Sequence, residues 1–265
     1  MIEILIFSCA LLMGVILGIT GGGGSILTVP VLVYIVGLSP ITATAYSLFI
    51  VGLTSAFGTF QNYKKGYVNV RTALFFAAPS LVAIFLTRKF VVPALPEVLY
   101  ANEHFPITRD FFLMTLFATV MLMASSAMLR DKPLPEEPTT KPNIYLTVIK
   151  IFGIGFLIGL IGAGGGFLII PALYYVARLP MRDAIGTSLF IIAINSLIGF
   201  TGDISNLEID WMFLLQFSSM SVAGIFVGIY VSKFLDESKL KKIFGFFVLS
   251  MALVILAREI FSAFA

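Results

Sequence analysis

Long apolar stretches separated by short polar loops recur from one end of the chain to the other. The clearest are residues 41–60, 72–87, 111–129, 144–161, 183–201, 211–231 and 243–257. Each approaches the roughly 20 residues that a helix needs to cross a hydrocarbon core about 30 Å thick. The pattern predicts two series of five helical elements, at about 3–19, 25–37, 42–60, 72–90 and 109–129, then 144–162, 166–178, 183–201, 211–231 and 243–262. The second element of each series is too short to span such a core.

The two series are copies of each other. A constant shift of 141 positions pairs Gly14 with Gly155, Gly18 with Gly159 and Gly21 with Gly162. Without a gap it also pairs Pro30 with Pro171, Ser47-Leu48-Phe49 with Ser188-Leu189-Phe190, and Gly58 with Gly199. Shared apolar composition alone does not keep Gly, Pro and Ser in register over such a length. The Pro- and Glu-rich stretch 133–143 separates the copies, giving a first repeat over 1–132 and a second over 144–265.

Charge orients the copies. The loop at 61–71 carries Lys64, Lys65 and Arg71 and no acid, whereas its counterpart at 202–210 carries Asp203, Glu208 and Asp210 and no base. Cytoplasmic loops are enriched in Lys and Arg, so these equivalent loops are expected on opposite sides of a membrane. With the N-terminus outside and ten crossings, every Lys and Arg except Arg88, Lys89, Arg109 and Arg258 falls inside. The expected architecture is therefore an all-α polytopic membrane protein made of two inverted repeats.

Composition agrees. The 265 residues are 59% hydrophobic and 12% charged, with mean hydropathy +1.04, whereas about a quarter of a soluble domain is charged. The first apolar stretch has neither a basic leader nor a small-residue cleavage pattern, so it reads as a retained helix. One cysteine, Cys9, and one histidine, His104, are too few for a disulfide or a soft-metal site, and no metal or other cofactor is expected. A net charge of +3 spread over loops gives no reason to expect a nucleic-acid partner.

The candidate chemistry lies at two glycine-rich interruptions, Gly18-Ile-Thr-Gly-Gly-Gly-Gly-Ser25 and Gly159-Leu-Ile-Gly-Ala-Gly-Gly-Gly166. Unwound backbone is tolerated at membrane depth only where it is buried in protein or lines a wet cavity. In inverted-repeat transporters such breaks meet near the midplane and form the substrate site. The expected site combines Gly21, Gly22, Gly23, Gly24 and Ser25 with Gly162, Gly164, Gly165 and Gly166. Tyr46, Ser47 and Thr54 add polar groups from the first copy, and Thr187, Ser188 and Asn195 from the second. Thr54 and Asn195 occupy equivalent positions, as groups at a pseudo-two-fold axis should. Apart from Lys150, near the start of 144–161, no Lys or Arg falls inside the apolar runs, so the expected anion site depends on helix N-termini and neutral donors. The competing reading makes the glycines close-packing residues and the hydroxyls donors to their own helices.

The chain resembles the TauE/SafE family of membrane permeases. The resemblance rests on 21–30 and 162–171, on Ala184-Ile-Gly-Thr-Ser-Leu189 with its copy Ala43-Thr-Ala-Tyr-Ser-Leu48, and on Tyr63-Lys-Lys-Gly-Tyr-Val-Asn69. It implies a multi-pass cell-membrane transporter of prokaryotic type that moves a small anion of the sulfite or organosulfonate class. Tyr46 departs from the family's usual Thr-Ser-Leu and is expected to narrow one side of the site. A channel and a non-transporting membrane scaffold are the alternatives; assembly as a homodimer stays open. An intramembrane enzyme is disfavoured, because the only histidine and the acids Asp203 and Asp210 fall in loops or at helix ends. No Gly-x-x-x-x-Gly-Lys-[Ser/Thr] motif is present, so a secondary carrier is expected. Asp183 and Asp203, at helix ends, are the acids closest to the membrane interior for proton coupling.

Overall fold

A computed structural model describes residues 2–100, 107–130, 144–162, 165–204 and 207–264. The expected linker and His104 lie outside the described residues. Ten helices are present among them: α1 (Ile2–Thr20), α2 (Gly23–Tyr34), α3 (Pro40–Lys64), α4 (Val70–Ala94) and α5 (Arg109–Leu129), then α6 (Ile144–Ile161), α7 (Gly166–Tyr175), α8 (Met181–Thr201), α9 (Trp211–Val231) and α10 (Glu237–Phe264). A short antiparallel ladder, Val98–Tyr100 with Ile107–Thr108, lies between α4 and α5. Six helices, α3, α4, α5, α8, α9 and α10, are long and apolar enough to cross a membrane.

Helix starts follow local chemistry. Asn69 and Asp210, equivalent positions in the two copies, cap α4 and α9 by accepting hydrogen bonds from the backbone N–H of Thr72 and Phe213. Ser39 caps α3 in the same way, just before Pro40 at the first helical position. The last part of α4 loosens into a π-helical turn, Thr87–Val91, closed by the Val92 N–H on the Thr87 carbonyl. Pro93 follows, and without an N–H it cannot restore the ordinary ladder. As a result α4 runs on past the apolar stretch 72–87 and carries Arg88 into the protein.

The packing repeats the sequence register. Gly14 lies on the Ser221 carbonyl, and Gly18 on Ile225 and Gly228, where α1 and α9 run parallel. The equivalent contacts recur between α6 and α4: Gly155 lies on Ser80, and Gly159 on Ile84 and Thr87. A Cβ on Gly155 would sit 2.6 Å from the Ser80 carbonyl oxygen, so small residues there set the interhelical distance. Between these pairs α3 and α8 cross antiparallel. A Cβ on Gly58 would lie 3.1 Å from Leu189 Cδ1, and one on Gly199 3.7 Å from Leu48 Cδ1, and these two pairs are each other's equivalents. Midway between them are Thr54 and Asn195, both fully buried. On the far side α5 packs along α10, and a cluster including Phe117, Phe167, Phe244 and Ile26 ties both to the short helices α2 and α7.

Candidate functional site

The two breaks form because each long helix ends on a glycine in the left-handed region. The Gly21 N–H closes on the Leu17 carbonyl at 2.7 Å with φ +73°, and the Gly162 N–H on the Ile158 carbonyl at 2.8 Å with φ +68°. An L side chain is strained there, which explains glycine at both equivalent positions. The chain then turns into α2 and α7, and among the described residues neither has a side-chain hydrogen bond from its N-cap. The breaks touch: a Cβ on Gly22 would lie 2.5 Å from the Gly166 carbonyl carbon. Gly21 rests on Ile185 of α8 and Gly162 on Thr44 of α3, again equivalent contacts. Gly24 and Gly165 instead pack against the preceding helix of their own copy, on Leu17 and Ile158. Gly164 and the side-chain surroundings of Gly23 and Ser25 lie outside the described residues.

The polar residues named from sequence divide by what they bond. Ser188 is at the first break, its hydroxyl 2.8 Å from both the Gly21 and Ile185 carbonyls. Thr54 spends its hydroxyl on the Ile50 carbonyl of its own helix. Asn195 donates to Ser80 Oγ at 2.7 Å, leaving its buried Oδ1 without a partner. The buried hydroxyls of Ser47, Ser55 and Ser196 also have no hydrogen-bond partner among the described residues. Ser55 and Ser196 are equivalent positions, so unsatisfied polar atoms line both α3 and α8.

Tyr46 and Thr187 bond across the two copies. The Tyr46 hydroxyl accepts the Asp210 backbone N–H at 2.7 Å, and the Thr187 hydroxyl accepts the Asn69 N–H at 3.0 Å. Each residue ties the cap of a helix in the other copy to α3 or α8. Tyr46 thus reproduces the tether made by its threonine counterpart, with its ring tilted against Phe213 at 6.2 Å. Tyr46→Phe and Thr187→Val are each expected to cost about 1 kcal/mol. That corresponds to a fall of a few degrees in melting temperature, with ligand affinity retained; thermal unfolding and binding on the same samples check both.

The folded interior also holds a cation beside the second break. Arg88 is completely buried. Its Nε lies 2.9 Å from Asp203 Oδ2, a contact in which neither atom makes a well-directed hydrogen bond. Nη1 and Nη2 both donate to Thr44 Oγ1, at 3.2 and 3.1 Å. Thr44 donates in turn to the Ile41 carbonyl. A Cβ on Gly162 would be 3.0 Å from Arg88 Nη2, so the guanidinium stands directly against the second break. At the equivalent positions the other copy has Ile229 and Asn62 in place of Arg88 and Asp203.

The side of the first break is also cationic, but open. Lys65, Arg182 and Lys233 line a cleft of about 30 Å³ with Asn62, Tyr67 and Ile185, room for roughly two waters. Ile185 is the residue on which Gly21 rests. Burial and the nearby charge of Lys233 hold the Lys65 amine below the usual lysine range.

The match to known proteins follows this frame. The profile of the sulfite exporter TauE/SafE family covers residues 6–255. The chain belongs to the TauE/SafE family. A "Probable membrane transporter protein" of Xylella fastidiosa (strain 9a5c) is 29% identical over 255 residues, 94% of this chain and 92% of that protein. The protein of the same description, YunE, from Bacillus subtilis is 24% identical over 222 residues, 77% and 79% of the two chains. One from Methanocaldococcus jannaschii is 36% identical over 114 residues, 41% and 43% of the two. No solved structure matches the chain. With six helices able to span a bilayer, this TauE/SafE protein is a multi-pass membrane transporter rather than an enzyme.

Proposed function

We propose that this TauE/SafE protein is a secondary transporter of small anions, of the sulfite or small organosulfonate class. It works by alternating access between two inverted repeats, residues 1–132 and 144–265. The carrying observation is the backbone contact between Gly22 and Gly166, which brings the two breaks together between α3 and α8. Backbone at that depth in a bilayer has a use when it lines a ligand path. The antiparallel crossing of the equivalent helices α3 and α8 supports the inverted relation of the repeats. The parallel packing of α1 with α9, repeated by α6 with α4, agrees with it. A positive guanidinium beside one break and a cationic cleft beside the other favour a negatively charged solute. The Ser188 hydroxyl at the Gly21 carbonyl and the unpartnered Ser47 and Asn195 atoms add neutral hydrogen-bonding groups nearby. The sulfur-oxyanion class comes from the family's description as sulfite exporters.

Two measurements test the reading. In proteoliposomes, uptake of radiolabelled sulfite should saturate and be accelerated by unlabelled sulfite on the opposite side. Flux that rises linearly without counterflow would instead make the protein a channel, and no flux of any small anion from folded protein would make it a scaffold. In a Cys9→Ser background, single cysteines replacing Tyr63 and Glu208, both exposed, should be labelled from opposite faces of the membrane. Labelling from one face removes the inverted repeat.

A further inference from the structure

The Arg88–Asp203 pair goes further than the transport reading on which it rests. We propose that Arg88 is the charged anchor of the anion site, and that the Asp203 carboxylate occupies it as an internal surrogate which the transported anion displaces.

The first argument is the state of the charge. A guanidinium does not give up its proton in proteins. A cation inside a membrane protein is therefore costly unless it is paired or serves a ligand. Asp203, only 4% exposed, supplies the balancing charge, yet the pairing is incomplete. A bidentate fork would satisfy two donors on two carboxylate oxygens. Here Nε only approaches Oδ2, and both terminal nitrogens converge on the single neutral oxygen of Thr44. A buried ion pair contributes little to stability even with good geometry. Donor capacity is thus left over at a place where the fold gains little from keeping a charge.

The second argument is position. Arg88 lies in the π-helical turn of α4, a departure from regular helix that is frequent at functional sites. Gly162, in the break, leaves the space beside Nη2 that any side chain would fill. Gly202 lets the segment after α8 approach the Arg88 stem, since a Cβ there would be 3.3 Å from Arg88 Cβ. Asp203 follows the end of α8, outside its helical span. Its carboxylate can swing away without breaking a helix.

The third argument is asymmetry. Framework features of this protein come in pairs: the left-handed glycines, the α1–α9 and α6–α4 contacts, and the Tyr46 and Thr187 tethers. The ion pair does not, since Ile229 and Asn62 stand at the equivalent positions. A group that serves the frame should be duplicated, whereas a group that serves the ligand is needed once. The carboxylate is itself a template for that ligand: one negative charge carried on two coplanar oxygens. A small oxyanion with such a face, sulfite, a sulfonate or a carboxylate, fits the guanidinium and the Thr44 hydroxyl in its place.

The test is sulfite binding to purified full-length protein, with melting curves as the control for folding. Asp203→Asn should bind sulfite about tenfold more tightly or better, because the competing charge is gone. Arg88→Lys keeps the charge but loses the fork and should weaken binding at least tenfold. The double variant Arg88→Gln/Asp203→Asn leaves no unpaired charge. It should stay folded and lose about ten- to a hundredfold in affinity, as expected for removal of hydrogen bonds to an ion. Wild-type affinity in the folded double variant would overturn the proposal and make the pair structural. So would unchanged or weaker binding by folded Asp203→Asn. If wild-type protein neither binds nor carries sulfite, sulfoacetate or acetate, the transport reading fails and the proposal fails with it. Saturable wild-type uptake with unaltered affinity in the Arg88 variants sinks the proposal alone.

Discussion

Gly22→Val is expected to abolish transport and to lower stability by several kcal/mol. A Cβ at that position would lie 2.5 Å from the carbonyl carbon of Gly166 and 2.7 Å from both its Cα and its oxygen. All three are backbone atoms, so no side chain can rotate away to make room. Gly166 in turn packs on Gly22 and on Ile192 Cδ1 of α8, so the contact is tight from both sides. Overpacking of a tight interior costs about 1–3 kcal/mol even where side chains can yield, and here the contact itself is the proposed site. Gly153→Ala is the control. Gly153 lies within α6, and a Cβ there meets nothing within 4 Å. Alanine is favoured over glycine in a helix by about 1 kcal/mol, so this variant should be as stable as wild type or slightly more so, with normal uptake. Wild-type uptake by Gly22→Val would mean that the breaks do not meet in the working protein.

Much of the frame was legible because glycine contacts obey the same register in sequence and in space. The 141-residue shift pairs Gly14 with Gly155 and, carried on, Ser221 with Ser80, and each glycine packs on the corresponding serine. Close helix packing leaves a small residue at a fixed place, which a repeat makes conspicuous. The hydroxyls were harder to assign. Tyr46 and Thr187 lie beside the breaks in sequence, but their partners, Asp210 and Asn69, belong to the opposite copy. The only sequence signal for that use was that donors and acceptors were themselves equivalent pairs. Arg88 is absent from the site expected from sequence for a physical reason. A cation directly after an apolar run normally marks the membrane surface, and Lys89 beside it strengthens that impression. In the structure the π-helical turn takes Arg88 inward, while its counter-charge arrives from the other half of the chain. Neither event has a local signature.

Removing that counter-charge should have the largest effect on stability of any single substitution that leaves the glycines intact. Among the described residues, Asp203→Leu leaves the Arg88 guanidinium fully buried with only the neutral Thr44 hydroxyl as a hydrogen-bond acceptor. Breaking a buried pair by deleting one partner typically costs about 3–5 kcal/mol, because the remaining charge keeps its full desolvation penalty. Deleting both charges behaves differently. Arg88→Met/Asp203→Leu replaces the pair by apolar groups of similar length, and such exchanges are often neutral or stabilising by about 1–4 kcal/mol. The double variant should therefore melt at or above the wild-type temperature, while Asp203→Leu alone melts well below it. Melting curves of the three proteins in one detergent measure the difference. A small anion able to reach Arg88 should restore part of the loss, so millimolar sulfite should raise the melting temperature of Asp203→Leu more than that of wild type. Equal stability of Asp203→Leu and wild type would mean that Arg88 is hydrated or displaced outward in the folded protein. That result would remove the buried charge on which the proposed anion site rests.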